Sequence, residues 1–332
     1  MNKKQKYQRL LAGEELDTTL FRPILMHFAA RYAGHTYGEF ASDYRVLVES
    51  NMKALEDFDL DMVGLISDPY RETSAFGAAV EFVPEGVPRC RGAIVGSMED
   101  VKLLKNPDVY QEERTLDRIR GAEYFQKLLK GEVPVIGWIE GPLAEAANLA
   151  GVSEMMMYLI TDPDLSRALL DKCVITAKEF AKAQIEAGAD IIGMGDAVCS
   201  QIDTGSYVTY VKQREMEIID YIHALGGTVK LHICGDINHL LPEIKDIGVD
   251  IIDLDWQVDL DHAFDVLGEK VIRGGNINPV TVQEGTEEEI FSISGQIVHK
   301  EKGRRYLLSA GCEITVNTPP GNLMAMRRAS YV

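Results

Sequence analysis

The chain has 332 residues, of which 46% are hydrophobic and 26% are charged, an ordinary composition for a globular protein. Its 34 Lys and Arg against 52 Asp and Glu give a formal net charge of −18, which disfavours nucleic-acid binding because phosphates are recognised by basic surfaces. No stretch approaches the roughly 18 apolar residues that span a bilayer. Residues 1–17 lack the apolar core of a secretory signal, so we expect a cytoplasmic protein that binds neither nucleic acid nor membrane.

Eight short apolar runs, each ending in a polar residue, recur along the chain between stretches that are mostly helical in pattern. The clearest helical stretch begins at Pro163 and stops at Gly188. Strands that alternate with helices imply parallel pairing through right-handed crossovers. We therefore predict an α/β fold, a single (β/α)8 TIM barrel over residues 1–332, with an open doubly wound sheet as the alternative. The runs end, in order, at His27, Asp68, Glu140, Asp196, His232 with Cys234, Asp253 with Asp255, Asn276 and Cys312.

The connection between the second and third runs is too long for a simple crossover. It includes a Pro- and Gly-containing segment, FVPEGVPRCRG, and a charged helical pattern, EERTLDRIRGAEYF. We interpret residues 72–130, approximately, as an insertion over the barrel mouth that forms a lid or a partner surface.

In a TIM barrel the chemistry lies at the C-terminal ends of the strands. His232 and Cys234 are two residues apart at the end of the fifth run, so both side chains point to the same side. Cys312 ends the eighth run and can meet them only across the mouth. One imidazole and two thiolates suit zinc and leave a fourth position for water or substrate. The alternative is that His232 is a core histidine and the cysteines are small buried hydrophobic residues.

Three segments resemble one known family: HICGDINHLLPEIKDIGVDIIDLD, GGNINP and LSAGCEITVNTPPGNLMAM. They look like the uroporphyrinogen decarboxylase superfamily and, more narrowly, its zinc-dependent, corrinoid-linked methyltransferase branch, which includes methylcobalamin:coenzyme M methyltransferases. The resemblance covers nearly the whole chain. It implies a zinc site at His232, Cys234 and Cys312. It also implies methyl transfer between a corrinoid cobalt, carried by a partner protein, and a small thiol or a methyl donor such as a methoxylated compound.

The chain departs from the decarboxylases of this superfamily at several positions. His27 stands where the first of two substrate-binding arginines is expected, while Arg31 and Asp68 are retained. Asn148 takes the place of an expected tyrosine, and Cys312 that of a late histidine. Losing an arginine from a site for a polyanion weakens substrate binding and positioning. Porphyrin decarboxylation is therefore the second hypothesis, and a non-catalytic protein that binds zinc or associates with a corrinoid is the third.

Five polar residues near the strand ends are the candidates for the substrate pocket: His27, Arg31, Asp68, Asp196 and Asn276. Glu140 is the preferred candidate for a fourth zinc ligand, with Asp196 as the other choice; each can equally be an acceptor that orients His232. No D-x-H-x-x-G segment for cobalamin binding occurs in the chain. Methylcobalamin or another corrinoid is therefore expected on a separate protein.

Overall fold

The computed structural model describes residues 1–332 and contains one eight-stranded parallel sheet. The strands lie in the order β1-β8-β7-β6-β5-β4-β3-β2, with helices between successive strands, which confirms the predicted α/β barrel. No helix is both long and apolar enough to cross a membrane. The strands are β1 Leu20–Phe21, β2 Val63–Gly64, β3 Val135–Glu140, β4 Ile191–Gly195, β5 Thr228–His232, β6 Ile251–Leu254, β7 Ile272–Ile277 and β8 Tyr306–Ala310.

The helices surround this sheet and α1 lies under it. A 3₁₀ turn, Ala197–Gln201, follows β4, and a π-helical turn, Tyr207–Lys212, precedes α12. The helices are α1 Lys3–Ala12, α2 His27–Ala33, α3 Tyr37–Ser42, α4 Tyr44–Asp57, α5 Arg71–Ala75, α6 Met98–Leu103, α7 Glu113–Leu129, α8 Pro142–Ala150, α9 Val152–Thr161, α10 Pro163–Glu186, α11 Thr204–Ser206, α12 Gln213–Ala224, α13 Leu241–Ile244, α14 Leu260–Leu267, α15 Pro279–Glu284, α16 Glu287–Lys300 and α17 Pro320–Ala329.

The barrel closes where β1 approaches β2. The Asp61 backbone N–H donates to the Phe21 carbonyl at 3.0 Å, and the Phe21 N–H donates to Asp61 Oδ2 at 2.8 Å. Arg327 of α17 holds the same Asp61 carboxylate at 2.8 Å. At the seam the Phe21 N–H is thus satisfied by a buried carboxylate instead of by a backbone carbonyl.

Seven of the eight predicted runs coincide with strands, and the first is displaced. The first strand is Leu20–Phe21, whereas the run predicted to end at His27 forms a loop, and His27 begins α2. Pro23 explains the difference because it has no N–H to contribute to a ladder. The predicted helix from Pro163 to Gly188 is α10, which is capped by the Asp162 side chain on the Leu165 N–H.

Every second residue of a strand points into the barrel, and these side chains fill the interior in layers. The lowest layer is apolar and includes Ile136, Ile191 and Ile251, with Tyr7 and Leu10 of α1 packed beneath it. Above it, Trp138 of β3 lies against Gly193 and Gly195 of β4; a Cβ on Gly193 would overlap its ring. Only glycine leaves room for the indole at these positions.

The segment from about 72 to 130 contains α6, α7 and a short hairpin, Val80–Glu81 paired with Arg89–Cys90. The hairpin tip packs on α3, where the Gly38 N–H donates to the Pro84 carbonyl at 3.0 Å. Glu85 also reaches His27 at 3.1 Å, just beyond the end of β1. This hairpin lies beside the mouth of the barrel, and its role as a lid stays a prediction.

Candidate metal and active site

His232, Cys234 and Cys312 meet at the mouth of the barrel. His232 Nε2 lies 3.0 Å from Cys234 Sγ and 3.9 Å from Cys312 Sγ, and the two sulfur atoms are 3.5 Å apart. His232 is the last residue of β5 and points inward, while Cys312 follows β8. The sequence-predicted group of three is therefore brought together across the mouth.

The spacing of these atoms fits a tetrahedral metal ion. Zinc bonds of roughly 2.0–2.3 Å at tetrahedral angles put ligand atoms about 3.4–3.8 Å apart, close to the separations of 3.0 to 3.9 Å in this group. His232 is buried, but both cysteines are half-buried. The side of the group that carries the sulfur atoms therefore faces the open mouth, where a fourth ligand can enter.

Asp253 of β6 fixes the orientation of the imidazole. His232 Nδ1 donates to Asp253 Oδ2 at 3.0 Å, which leaves Nε2 for the metal. Lys230 of β5, itself buried, also donates to Asp253 Oδ2. Burial alone would raise the pKa of Asp253, but Lys230 and His232 hold that pKa far below its usual range. A permanently ionised carboxylate thus supports the ligand histidine.

The three ligand groups share their protons unequally. A hydrogen bond from Cys234 outweighs burial and, with His232, lowers the pKa of the Cys312 thiol. Burial would lower the pKa of His232, but Asp253 and then Cys312 raise it to about 9. These shifts favour a thiolate in the group, and the thiolate is the form of cysteine that binds a metal ion.

The family model described as "Uroporphyrinogen decarboxylase (URO-D)" matches residues 2–331. The chain belongs to the uroporphyrinogen decarboxylase family. It is 32% identical over 236 residues to "Methylcobamide:CoM methyltransferase MtbA" of Methanosarcina acetivorans, covering 70% of this chain and 68% of that protein. It is 27% identical over 334 residues to "Uroporphyrinogen decarboxylase" of Geobacter sulfurreducens, covering 95% and 94%.

A solved structure gives the same fold. A "methyltransferase from Methanosarcina mazei" superimposes with a TM-score of 0.91 at 22% identity, covering 99% of this chain and 98% of that chain. The solved structure shows the shared fold. Two relatives named methylcobamide:CoM methyltransferase, at 32% and 31% identity over 70% of this chain, place the chain in the methyltransferase branch of the uroporphyrinogen decarboxylase superfamily, as the resemblance predicted. Methyltransferase relatives support an enzymatic role for this family member.

Two of the predicted pocket residues, His27 and Arg31, lie on α2, and His27 contacts the hairpin of residues 80–90. His27 stacks on Tyr37 with ring centroids 4.7 Å apart and contacts Glu85 at 3.1 Å. Arg31 is exposed and donates to Asn317 Oδ1 at 2.7 Å. Neither residue contacts the His/Cys/Cys group, so any role of these two in substrate binding stays a prediction.

Three further predicted residues of this family member are held in buried contacts. Asp68 accepts two hydrogen bonds from Arg114, at 3.0 and 2.7 Å. Asp196 points away from the barrel interior and caps α8, accepting from the Ala144 N–H at 2.6 Å. Asn276 Nδ2 donates to the Val258 carbonyl at 2.6 Å and anchors the loop after β6.

Glu140, the candidate fourth ligand, is engaged elsewhere in this structure. Its Oε1 accepts from Arg71 Nη2 at 2.7 Å, and its backbone N–H donates to Glu72 at 2.8 Å. Burial is the largest cause that raises the pKa of Glu140, to about 8, although Arg71 opposes the rise. Arg71 engages Oε1 of Glu140, and the assignment of Glu140 as a zinc ligand stays a prediction.

Sequence reasoning did not assign roles to Lys230, Asp253 and Asp255. The alternation of apolar and polar residues in TVKLH and in IDLD (residues 252–255) carries the signal. Residues two apart share a face, so Lys230 lies on the His232 face. It also did not find a second group of potential ligands, Asp196 with Cys199 and Glu215, which is fully buried. Nothing in the sequence links Glu215 of α12 to the end of β4, because that contact depends on helix packing.

Proposed function

We propose that the protein is a zinc-dependent methyltransferase that moves a methyl group between a corrinoid cobalt on a partner protein and a small thiol or methyl donor. The observation that carries the proposal is the His232–Cys234–Cys312 group, open on its sulfur side and held from behind by Asp253. Thiolate ligands require a reducing compartment, so we assign the protein to the cytoplasm.

Zinc bound at this group would keep a substrate thiol deprotonated at neutral pH, or polarise the oxygen of a methyl ether. Residues of the chain supply the ligands and fix their orientation. His232, Cys234 and Cys312 hold the ion, and Asp253 fixes the imidazole tautomer. The two cysteine thiolates would neutralise the 2+ charge of the zinc ion. A third thiolate, from the substrate, would therefore keep its electron density and its nucleophilicity.

The direction of transfer follows from which substrate occupies the open position. With a thiolate there, sulfur would form the new bond to the methyl carbon, and the carbon–cobalt bond would break with its electron pair left on cobalt. With a methyl ether or similar donor there, reduced cobalt would supply the electron pair of the new cobalt–carbon bond. The bond from the methyl carbon to the donor oxygen would break with its electron pair left on that oxygen, whose negative charge zinc would stabilise. Relatives named for methylcobamide and CoM support the corrinoid as one reactant and a thiol as the first acceptor to test.

The corrinoid partner would approach from the mouth, beside the hairpin of residues 80–90 and the loop after Glu140. The hairpin is anchored at its tip by the contact of Pro84 with Gly38 and carries exposed apolar side chains at Phe82 and Val87. Removing the hairpin is expected to abolish transfer from a protein-bound corrinoid while one zinc per chain remains. Unchanged transfer would refute this docking site.

Decarboxylation is the alternative enzymatic hypothesis, because relatives named uroporphyrinogen decarboxylase align over 95% of the chain. The site favours methyl transfer, since Cys312 and His27 replace the expected histidine and arginine. A binding protein with a structural zinc is the third hypothesis. A closed site with four protein ligands would favour that hypothesis over both enzymes.

The test is the metal content of the purified protein and of the Cys234→Ser and Cys312→Ser variants. We expect one zinc per chain, lost or strongly weakened in either variant, and methyl transfer from methylcobalamin to a thiol that disappears with the metal. Cys90→Ser is the matched control for the metal content, because Cys90 lies outside the group. A folded wild type that binds no zinc would refute the proposal and favour decarboxylation.

A further inference from the structure

Asp255, immediately after β6, is bonded to the loop that carries Cys234. Its Oδ2 accepts the N–H of Gly235 at 2.7 Å, and its Oδ1 accepts the N–H of Trp256 at 2.7 Å. Gly235 follows Cys234 directly and has φ of +93°, a conformation that favours glycine. The carboxylate therefore fixes the point at which the chain turns away from the first cysteine.

The loop that carries Cys312 packs on the same residue from the other side. A Cβ on Gly311 would lie 2.6 Å from the Trp256 nitrogen, 2.8 Å from Asp255 Cα and 2.9 Å from Asp255 Oδ1. Two of these three atoms belong to the backbone, so they cannot move aside as a flexible side chain would. The Gly311 N–H also donates to the Ile277 carbonyl at 2.8 Å, which holds the loop close to the barrel.

The loop after β6 is itself held in place. The Val258 N–H donates to the Asp255 carbonyl at 3.0 Å, and Asn276 Nδ2 donates to the Val258 carbonyl at 2.6 Å. Asp255 is buried. It thus forms a fixed support between the two cysteine-bearing loops, one bonded to its carboxylate and the other packed on its backbone.

We infer that Asp255 is a positioning residue that sets the separation of Cys234 and Cys312, and that Gly311 is required for the second loop to reach it. The inference rests on the proposed function, because it assigns these residues a purpose only if the cysteines hold a metal ion. Asp255 is not a member of the ligand group. Its effect is on geometry: without it, the two sulfur atoms are no longer held 3.5 Å apart.

Two variants test the inference by different routes. Gly311→Ala adds a methyl group against Asp255 without any change of charge. Asp255→Asn keeps the volume but replaces one of two accepting oxygens by an NH2 group, so that one N–H loses its acceptor. Removing a group that supports metal ligands commonly weakens metal binding about 10–100-fold. Both variants are expected to lower zinc affinity in that range, measured by competition with a chelator.

The second readout is the absorption spectrum of the cobalt(II)-substituted protein, which reports ligand geometry independently of activity. Both variants are expected to weaken or shift the bands of the tetrahedral thiolate site. Asp236→Asn is the charge control, since Asp236 is exposed on the same loop and bonds only to Asn238. Gly295→Ala is the steric control, because a Cβ there meets nothing within 4 Å. Both controls should match the wild type.

Zinc affinity and cobalt spectrum unchanged in Asp255→Asn would overturn the inference, whatever the yield of Gly311→Ala. Asp236→Asn weakening zinc as much as Asp255→Asn would also overturn it, because the effect would then be one of charge alone. A wild type that binds neither zinc nor cobalt would instead refute the proposed function. The two failures are therefore distinguishable.

Discussion

Replacing Asp253 by Asn should destabilise the fold and weaken the metal site together. Asp253 is buried and accepts hydrogen bonds from Lys230 and from His232. Its neutralisation leaves Lys230, 1% exposed, without its counter-charge. Breaking one side of a buried ion pair costs about 3–5 kcal/mol. Burial and, after it, the charge of nearby Arg22 lower the pKa of Lys230 to about 8, so Lys230 can lose its proton near neutral pH. We therefore expect Asp253→Asn to lower the free energy of unfolding by about 3 kcal/mol, the lower end of this range.

The effect on the metal should be smaller than that of losing a ligand. The amide oxygen introduced by Asp253→Asn can still accept from His232 Nδ1, so the imidazole keeps its orientation but loses the neighbouring negative charge. We expect zinc affinity to fall roughly tenfold, the lower end for changes behind a metal ligand. Urea denaturation followed by circular dichroism gives the first quantity, and chelator competition gives the second.

The control for Asp253→Asn is Asp261→Asn. Asp261 is 53% exposed and pairs with Arg304 at 2.8 Å, and an exposed pair of this kind contributes little to stability. An unfolding free energy of Asp253→Asn within about 1 kcal/mol of the wild type, or an unaltered zinc affinity, would refute the assigned role of the carboxylate.

Buried contacts give three further predictions. Burial is the main cause that raises the pKa of Asp196 to about 7 and that of Glu215 to about 8. The stability that their protonated forms contribute is therefore fully present below about pH 4 and is lost as the pH rises to about 8. Glu215→Gln should be more stable than the wild type at pH 8 but not at pH 4. Gly193→Ala should cost about 1–3 kcal/mol in thermal or urea unfolding, because the added methyl overlaps the Trp138 ring. Glu140→Gln should leave one zinc per chain by metal analysis, because Glu140 is paired with Arg71.

Each of these three has a matched control or a contradicting result. Glu217 lies on the same helix but is exposed and paired with Lys178. Glu217→Gln should therefore not become more stable than the wild type between pH 4 and pH 8. Gly295→Ala, in open space, should be neutral or slightly stabilising. A zinc-free Glu140→Gln protein would instead assign Glu140 as a ligand and disprove the present interpretation of its ion pair.

The strands were predictable where the sequence combines apolar runs with clear ends. Glu140 and His232 are the last residues of β3 and β5, as their runs predict. The first strand was placed too late because RPILMHF has strand composition, and only the missing N–H of Pro23 argues against it. Its true strand, Leu20–Phe21, is two residues long and depends on pairing with β8, which no local pattern reveals.

The ligands were predictable and their supports were not. H-x-C at a strand end and a cysteine in SAGCE carry chemical identity that a single sequence displays. Asp253 and Asp255 read only as strand-end acids, and their separate contacts with His232 and Gly235 depend on the register of β5 against β6. Asp196 shows that a polar residue at a strand end need not belong to the site, because it caps α8 on the outside of the barrel.

The position of the cysteines also discriminates between the two folds considered. β5 and β8 are separated by three strand spacings, which amounts to about 14 Å in a flat sheet. Cys234 and Cys312 follow these strands, yet their sulfur atoms lie 3.5 Å apart. Only a sheet curled into a barrel brings them together, so an open doubly wound sheet could not form this group. Metal binding should therefore stabilise barrel closure, and added zinc is expected to raise the unfolding midpoint of the wild type but not that of Cys312→Ser.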